Sequence, residues 1–520
     1  MASSAGDASA AAPPRPLGFP STPSPISRAA RLRAPLGACP RCALRLSGAR
    51  DPSLYALPEA ELLLAFSSAA PEQAPPPHPS SGCPLCAGCL HPTDSQLDAL
   101  AAAARGGGFE MRTFAIAVTL PHSLAVRQRA ACLHLADVGG ASPAERIVEL
   151  KDAFRWAVGP RLAEMLGLAY DPTSSMCFHI CAFSAACERE HHEVVGGLLG
   201  RRLPSGQPVD LDSVRSVAKA LSLAAADETI KASRLFPPPP CDPPCSLSLS
   251  LEPANVCVSG KYRKLSRLLP QSPWLIDGAR KCASSVQECI DTHAIAAYSA
   301  ASALFHSAGR EDVDVRMLGG GRPFVLELVG CKRPYQSEES LAAVAELINA
   351  SGLVEVSELQ PCDSSLISHL IKEGEEAHRK LYRCVVWLSK PISREGVERI
   401  NSIADVTLKQ RTPVRVAHRR SLIVRDRIVH SANAVVLSPH FIQLDLETQA
   451  PLSSAQSTQA GTYVKEFVHG DFGRTSPSVG SILGCEADIL QLDVIGLKDC
   501  GDEPRPPVRE ERVGPVDVEL

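Results

Sequence analysis

Between Ser307 and Arg333 the chain reads SAGREDVDVRMLGGGRPFVLELVGCKR, which sets Asp312 among Arg310, Arg316 and a second carboxylate, Asp314. A carboxyl beside guanidinium groups favours its charged form and can then serve as a nucleophile. The plainer reading of such a stretch is a surface turn whose charges pair with one another. Gly319-Gly320-Gly321 predicts a tight turn, followed by an apolar strand from Phe324 to Val329. A different chemistry lies upstream, in Cys39-Pro40-Arg41-Cys42 and Cys83-Pro84-Leu85-Cys86. Two C-x-x-C pairs separated by enough chain to fold back can surround one tetrahedral zinc ion with four thiolates. Cys89 repeats the spacing and is an alternative ligand, while a thioredoxin-like redox pair would need a βαβ context that neither motif has.

Two stretches could grip nucleic acid. Lys261, Arg263, Lys264 and Arg267 stand together with no acid between them, and Tyr262 and Trp274 are interleaved, a pattern that suits phosphates and bases. From Lys409 to His430, Arg411, Arg415, Arg419, Arg420, Arg425 and Arg427 face Asp426 alone. Val414 and Val416 alternate with Arg415, which predicts a strand with one apolar and one basic face. Without such patches a net charge of −4 would not favour a polyanion.

The supporting elements read as α/β. A chain of 520 residues has room for roughly two or three domains. Its 19 cysteines, with no secretory signal, point to metal binding rather than a disulfide framework. Residues 1–36 are rich in Ala, Ser, Pro and Arg, fitting either an organellar transit segment or a disordered extension. Nuclear, cytoplasmic and organellar locations all stay open. Helices are predicted over Ser95–Ala104, Arg127–Leu135, Pro143–Leu166 and Glu338–Asn349. Strands are predicted over Phe109–Leu120, Met176–Phe183, Ser246–Val258 and Cys384–Leu388. Cys177, Cys181 and Cys187 read as core residues. Pro71–Ser81 is a low-complexity loop, Phe236 to Pro240 a proline run that predicts a linker over 236–245, and 499–520 a disordered tail. A domain over 37–235 therefore precedes one over 246–498. No apolar run approaches the length of a membrane span.

Four blocks carry a resemblance: GKYRKLSRLLPQSPW (260–274), GREDVDVRMLGGGRPF (309–324), RTPVRVAHRR (411–420) and AGTYVKEFVHGDFGRT (460–475). They resemble the archaeal and eukaryotic tRNA pseudouridine synthase family that has an amino-terminal THUMP-containing domain and modifies T-loop uridines. The resemblance implies a mixed-sheet catalytic domain after a zinc-bearing, THUMP-containing RNA-binding part. It further implies isomerisation of uridine to pseudouridine at positions 54/55 of the tRNA T-loop, by a monomer and without an organic cofactor. By the motif matches Asp312 is the nucleophile and Arg310 contacts substrate. Tyr382 stacks on the target base, Tyr463 contacts it from a G-T-Y strand, and Lys465 pairs with Asp312. Cys39, Cys42, Cys83 and Cys86 match a structural zinc site. The sequence departs from the family at 451–460, which reads as an insertion before that strand. The competing reading is a non-catalytic RNA-binding processing or assembly factor, which would not need Asp312, Tyr382 and Tyr463 together.

Overall fold

The computed structural model describes residues 24–71, 82–139, 142–200, 207–375, 379–418, 421–449 and 462–497. The extension over 1–23, the loop over 72–81, Arg419, Arg420, Gly461, the insertion at 451–460 and the tail at 499–520 lie outside the described residues. Residues 24–36 are not an extension. Pro25–Leu36 is a helix capped by the Ser24 hydroxyl and closed at Gly37 (φ 60°). It buries Ala29, Leu32 and Leu36, three positions on one helical face, and leaves Arg31 exposed.

The chain forms two compact units, Met1–Glu252 and Pro253–Leu520. In the first, a four-stranded sheet runs in the order Ala169–Tyr170, Thr113–Thr119, Met176–Phe183 and Ser246–Pro253, the first three strands pairing in parallel. Helices Asp94–Gly106, Ser123–Asp137 and Leu150–Leu166 accompany it. Met176–Phe183 alternates as its sequence predicts, burying Met176, Phe178 and Ile180 and leaving Cys177 and Cys181 half-buried; Cys187 is fully buried.

The proline run does not separate the units. Cys241 and Cys245 are buried, and their amides donate to the Gly82 and Ala87 carbonyls. The run is thus packed onto the second cysteine knuckle. Ser246–Val258, expected as one strand, is two: Ser246–Pro253 in the first unit and Val256–Lys264 in the second.

The second unit is built on a ten-stranded sheet. Its order is Val354–Cys362, Val256–Lys264, Val315–Val329, Ala487–Leu497, Lys380–Leu388, Phe441–Gln449, Val424–Ser438, Ala404–Arg411 and Thr475–Ser476, with Ser302–Ser307 on Val315–Val329. Ala487–Leu497 enters parallel to Val315–Val329 and antiparallel to Lys380–Leu388, which makes it the seam of the sheet. Glu338–Asn349 is the predicted helix.

The three glycines do not make a turn before a strand. They lie inside one 15-residue strand, Val315–Val329, where the pairing with Val256–Lys264 slips between Tyr262 and Lys264. Gly319 (φ 65°) and Gly321 (φ 87°) let the strand change partners while backbones press on it. A Cβ at Gly319 would overlap the Ile495 carbonyl, and one at Gly321 would sit 3.0 Å from the Tyr262 oxygen.

Gly319→Ala must therefore move backbone as well as adopt a left-handed φ, at about 3 kcal/mol. Gly352 has a similar φ (64°) with open space around it, so Gly352→Ala carries the strain alone, about 1 kcal/mol. Denaturant unfolding of both variants should show the larger loss at Gly319; equal losses would mean that the seam tolerates a methyl group.

Candidate active site

The Asp312 loop is held from beneath. Lys264 is fully buried, and its ammonium donates to the carbonyl oxygens of Leu269 (2.8 Å), Asp312 (2.8 Å) and Val313 (2.9 Å). Burial pushes its pKa down to about 8. The neighbouring Glu311 turns inward: Tyr262 donates its hydroxyl to it (2.9 Å) and Arg322 its Nε (2.9 Å). Burial, reinforced by the Glu311 charge, raises the Tyr262 phenol. Gln271 donates to the Tyr262 hydroxyl (2.8 Å) and the Gly309 carbonyl (2.9 Å). With Glu311 and Lys264 fixed on either side of the Asp312 peptide, the Asp312 side chain is left half-exposed.

Two cations meet that side chain. Arg415 Nη1 lies 2.8 Å from Asp312 Oδ2, while its Nε lies 2.7 Å from Glu466 Oε1. The Asp312 contact is 38–39 % exposed on both sides and contributes at most about 1 kcal/mol to stability. Glu466, 2 % exposed, would be left as a buried unpaired charge without Arg415. Glu466 therefore fixes the guanidinium, and Asp312 receives it already placed. Lys465 lies 3.7 Å from Asp312 but 2.6 Å from Asp314, so the expected pairing is shared, with Asp314 the nearer partner. Burial works to raise the Asp314 carboxyl, but the hydrogen bonds and charge of Lys465 outweigh it and hold it low.

Lys465 and Tyr463 are not on a strand. Val464–His469 is a helix with Tyr463 at its amino-terminal cap, where Gln410 holds the Tyr463 backbone at both its N–H (3.1 Å) and its carbonyl (3.0 Å). A strand would place Lys465 and Glu466 on opposite faces; in the first helical turn both reach the Asp312 loop, Glu466 through Arg415. The Arg415 guanidinium lies over the Tyr463 ring at 5.9 Å, and the Tyr463 hydroxyl is buried with no partner among the described residues. Tyr382 is only 8 % exposed and belongs to the core that includes Val315 and Met317; burial pushes its phenol up to about 12. Its ring is packed in the core and is not an open platform. Arg310 is exposed and makes no ion pair among the described residues.

The two basic stretches differ from expectation. Lys261 pairs with Glu358, Arg263 with Glu355 and Arg267 with Asp493, while Lys264 and Tyr262 are buried. The opposing acids come from strands some 90 and 225 positions along the chain, so no local scan finds them. The segment around Arg415 is a 3-10 turn, Val414–Val416, and not a strand, because Pro413 lacks an N–H and Val414 N donates to Asp471 Oδ2 (3.2 Å). Arg425 and Arg427 are buried.

In the first unit the Sγ atoms of Cys39, Cys42, Cys83 and Cys86 all lie within 4.8 Å of one another and all four residues are buried. Cys39 and Cys86 are 3.8 Å apart, the edge of a tetrahedron with metal–sulfur bonds of about 2.3 Å. Burial pushes the Cys39 and Cys42 thiols well up. Burial acts the same way on Cys86, but hydrogen bonds from Cys39, Cys42, Cys83 and Cys89 draw it well below the usual range. Cys89 touches Cys86 but stands outside the set of four.

Residues 257–498 match the family described as Pus10, C-terminal, and residues 83–250 match Eukaryotic Pus10, N-terminal. The chain is 33 % identical over 496 residues to the tRNA pseudouridine synthase Pus10 of Xenopus laevis, covering 88 % of this chain and 94 % of that one. It is 38 % identical over 396 residues to the Homo sapiens protein of the same name, covering 74 % and 72 %. To the protein of that name from Thermofilum pendens it is 40 % identical over 256 residues, covering 48 % of this chain and 54 % of that one.

Lys264→Met removes the donor from three carbonyls and should lower unfolding stability by roughly 3–5 kcal/mol. Lys261→Met, at a half-exposed pair, should cost no more than about 1 kcal/mol. Urea denaturation of the two variants checks this. A Lys264→Met protein as stable as wild type would show that the loop does not depend on the ammonium.

Proposed function

The chain belongs to the Pus10 family, and on that premise we propose that it isomerises uridine to pseudouridine in the T-loop of tRNA, at positions 54/55, with Asp312 as nucleophile. The observation that carries this is the half-exposed Asp312 carboxylate, set between Arg415 and Lys465 on a loop whose backbone is locked by Lys264 and Glu311. Such a group can be offered to a substrate without moving, the geometric requirement for covalent catalysis.

A uridine within a folded RNA must leave its stack to reach Asp312, at a few kcal/mol. Asp312 then bonds to C6 of the uracil or to C1′ of the ribose, the glycosidic C–N bond breaks, and the base turns. A C5–C1′ bond forms, Asp312 is released, and C5 gives up its proton to solvent while N1, freed of the ribose, takes one up. Atoms and electrons balance without oxidant or reductant, so no organic cofactor is called for. When the Asp312 charge is spent in the covalent state, Glu466 still balances Arg415. The Tyr463 hydroxyl, buried without a partner among the described residues, is read as the group that hydrogen-bonds the base, a reading its unmet hydrogen-bonding capacity supports.

The first unit is read as a THUMP-containing RNA-holding module organised by zinc. Its four cysteines have the spacing and donor set for a tetrahedral zinc ion and would leave no position for a water, which supports a structural rather than a catalytic metal.

Asp312→Asn keeps size and removes the nucleophile. Pseudouridine mapping on an unmodified tRNA transcript should show turnover reduced by at least roughly a thousand-fold, with tRNA affinity little changed. Asp314→Asn should retain turnover. Loss at Asp314 with retention at Asp312 would assign the chemistry to the other carboxylate, and wild-type protein that binds tRNA but forms no pseudouridine would favour the non-catalytic reading.

Chelation of the metal should unfold the amino-terminal unit at a lower temperature than the carboxy-terminal one. Limited proteolysis after chelator treatment reads this directly. An amino-terminal unit that resists protease with no metal bound would refute a structural role.

A further inference from the structure

After the helix that carries Lys465 and Glu466, the chain makes a left-handed turn. Gly470, Asp471, Phe472 and Gly473 all have positive φ (80°, 47°, 54° and 81°). Glycine accepts this freely and aspartate tolerates it, but a phenylalanine there is strained. The Phe472 ring is also 97 % exposed, so no burial offsets the strain. Exposed apolar side chains are common singly, yet those sit in relaxed backbone. Here the surroundings impose the conformation. Asp471 is buried and accepts from Val414 N (3.2 Å), Gly473 N donates to Gly470 O (3.0 Å), Thr475 N to the same oxygen (3.1 Å), and Arg474 to Thr412 O (2.8 Å). The turn is therefore bolted to Val414, the residue before Arg415. Val414, Leu422 and Ile423, on the segment that Thr412 joins to this turn, are exposed as well, and Arg411 beside them is an exposed cation.

We propose that Phe472 is a stacking platform for an unpaired base of the RNA substrate, held out on the same scaffold that fixes Arg415 and Lys465. The inference rests on the RNA-modifying function above and adds a recognition site to it. An aromatic face held out in solvent is what an unstacked base binds, irrespective of its identity. The hydrogen bonds that hold the turn keep the Phe472 backbone in place despite its strain.

The experiment compares Phe472→Ala, Phe472→Tyr and Phe472→Asn, measuring the affinity of an unmodified tRNA transcript against salt, pseudouridine formed, and thermal unfolding. Phe472→Ala and Phe472→Asn should weaken binding by about 5- to 150-fold, the worth of one stacked base, with the salt slope unchanged because no phosphate contact is lost. Phe472→Tyr keeps the ring and should stay within about twofold of wild type. Phe472→Asn, at ease in this conformation, should unfold at the same or a higher temperature. Wild-type affinity in Phe472→Ala, or a Tyr variant as weak as the Ala one, overturns the proposal. Because affinity is read apart from product, active protein with an indifferent Phe472→Ala refutes stacking alone, whereas bound RNA with no pseudouridine in wild type refutes the function proposed above.

Discussion

A carboxylate left half-exposed cannot be held by its own burial, so what fixes it must be anchored by groups that are buried. Around Asp312 that burden falls on Lys264 and on the Glu466–Arg415 pair. Lys264 spends its hydrogen bonds on backbone carbonyls, two of them in the loop itself. Glu466 is enclosed and holds one edge of a guanidinium whose other edge faces Asp312. An exposed Asp–Arg pair alone would be too weak to set geometry. Backed by a buried carboxylate it becomes directional, because moving Arg415 away would strand the Glu466 charge.

The sheet has the form that this arrangement needs. Ala487–Leu497 pairs in parallel with the start of Val315–Val329, and Asp493 on it receives both Arg316 and Arg267. The loop carrying Asp312 thus leads directly into the strand that is clamped at the seam. The glycines at 319 and 321 let that strand leave one partner and join another without a collision.

In the amino-terminal unit the organising groups are sulfurs and buried arginines. Arg41 donates to the carbonyls of Tyr55, Leu57 and Leu90, and Arg45 to that of Val148. Leu57, Leu90 and Val148 lie on irregular segments and Tyr55 in the last turn of the short helix Pro52–Ala56, so among the described residues none of these carbonyls has a ladder or helix partner. The four cysteines belong to the same buried cluster as Tyr55, Leu90, Val148 and the buried Cys241 and Cys245 that follow the proline run.

Read alone, the sequence made legible the residues that stand out through their type and local spacing. The two C-x-x-C pairs converge as their spacing predicts, and Asp312 is the half-exposed carboxylate of its loop. The α/β class and the alternating strand Met176–Phe183 were also legible, because period and burial are local properties. Partners brought from far along the chain were not. Lys264 and Tyr262 read as an RNA-facing patch and are in fact the loop's foundation, since a buried lysine and an exposed one have the same neighbours in sequence. Tyr463 reads as part of a strand and caps a helix, as Gln410 takes up its backbone groups. Glu466, between Lys465 and Phe467, carried no signal beyond being a carboxylate. Its role exists only where folding removes it from water and leaves Arg415 as its hydrogen-bonded cation, a pairing of groups 51 residues apart that tertiary packing alone decides.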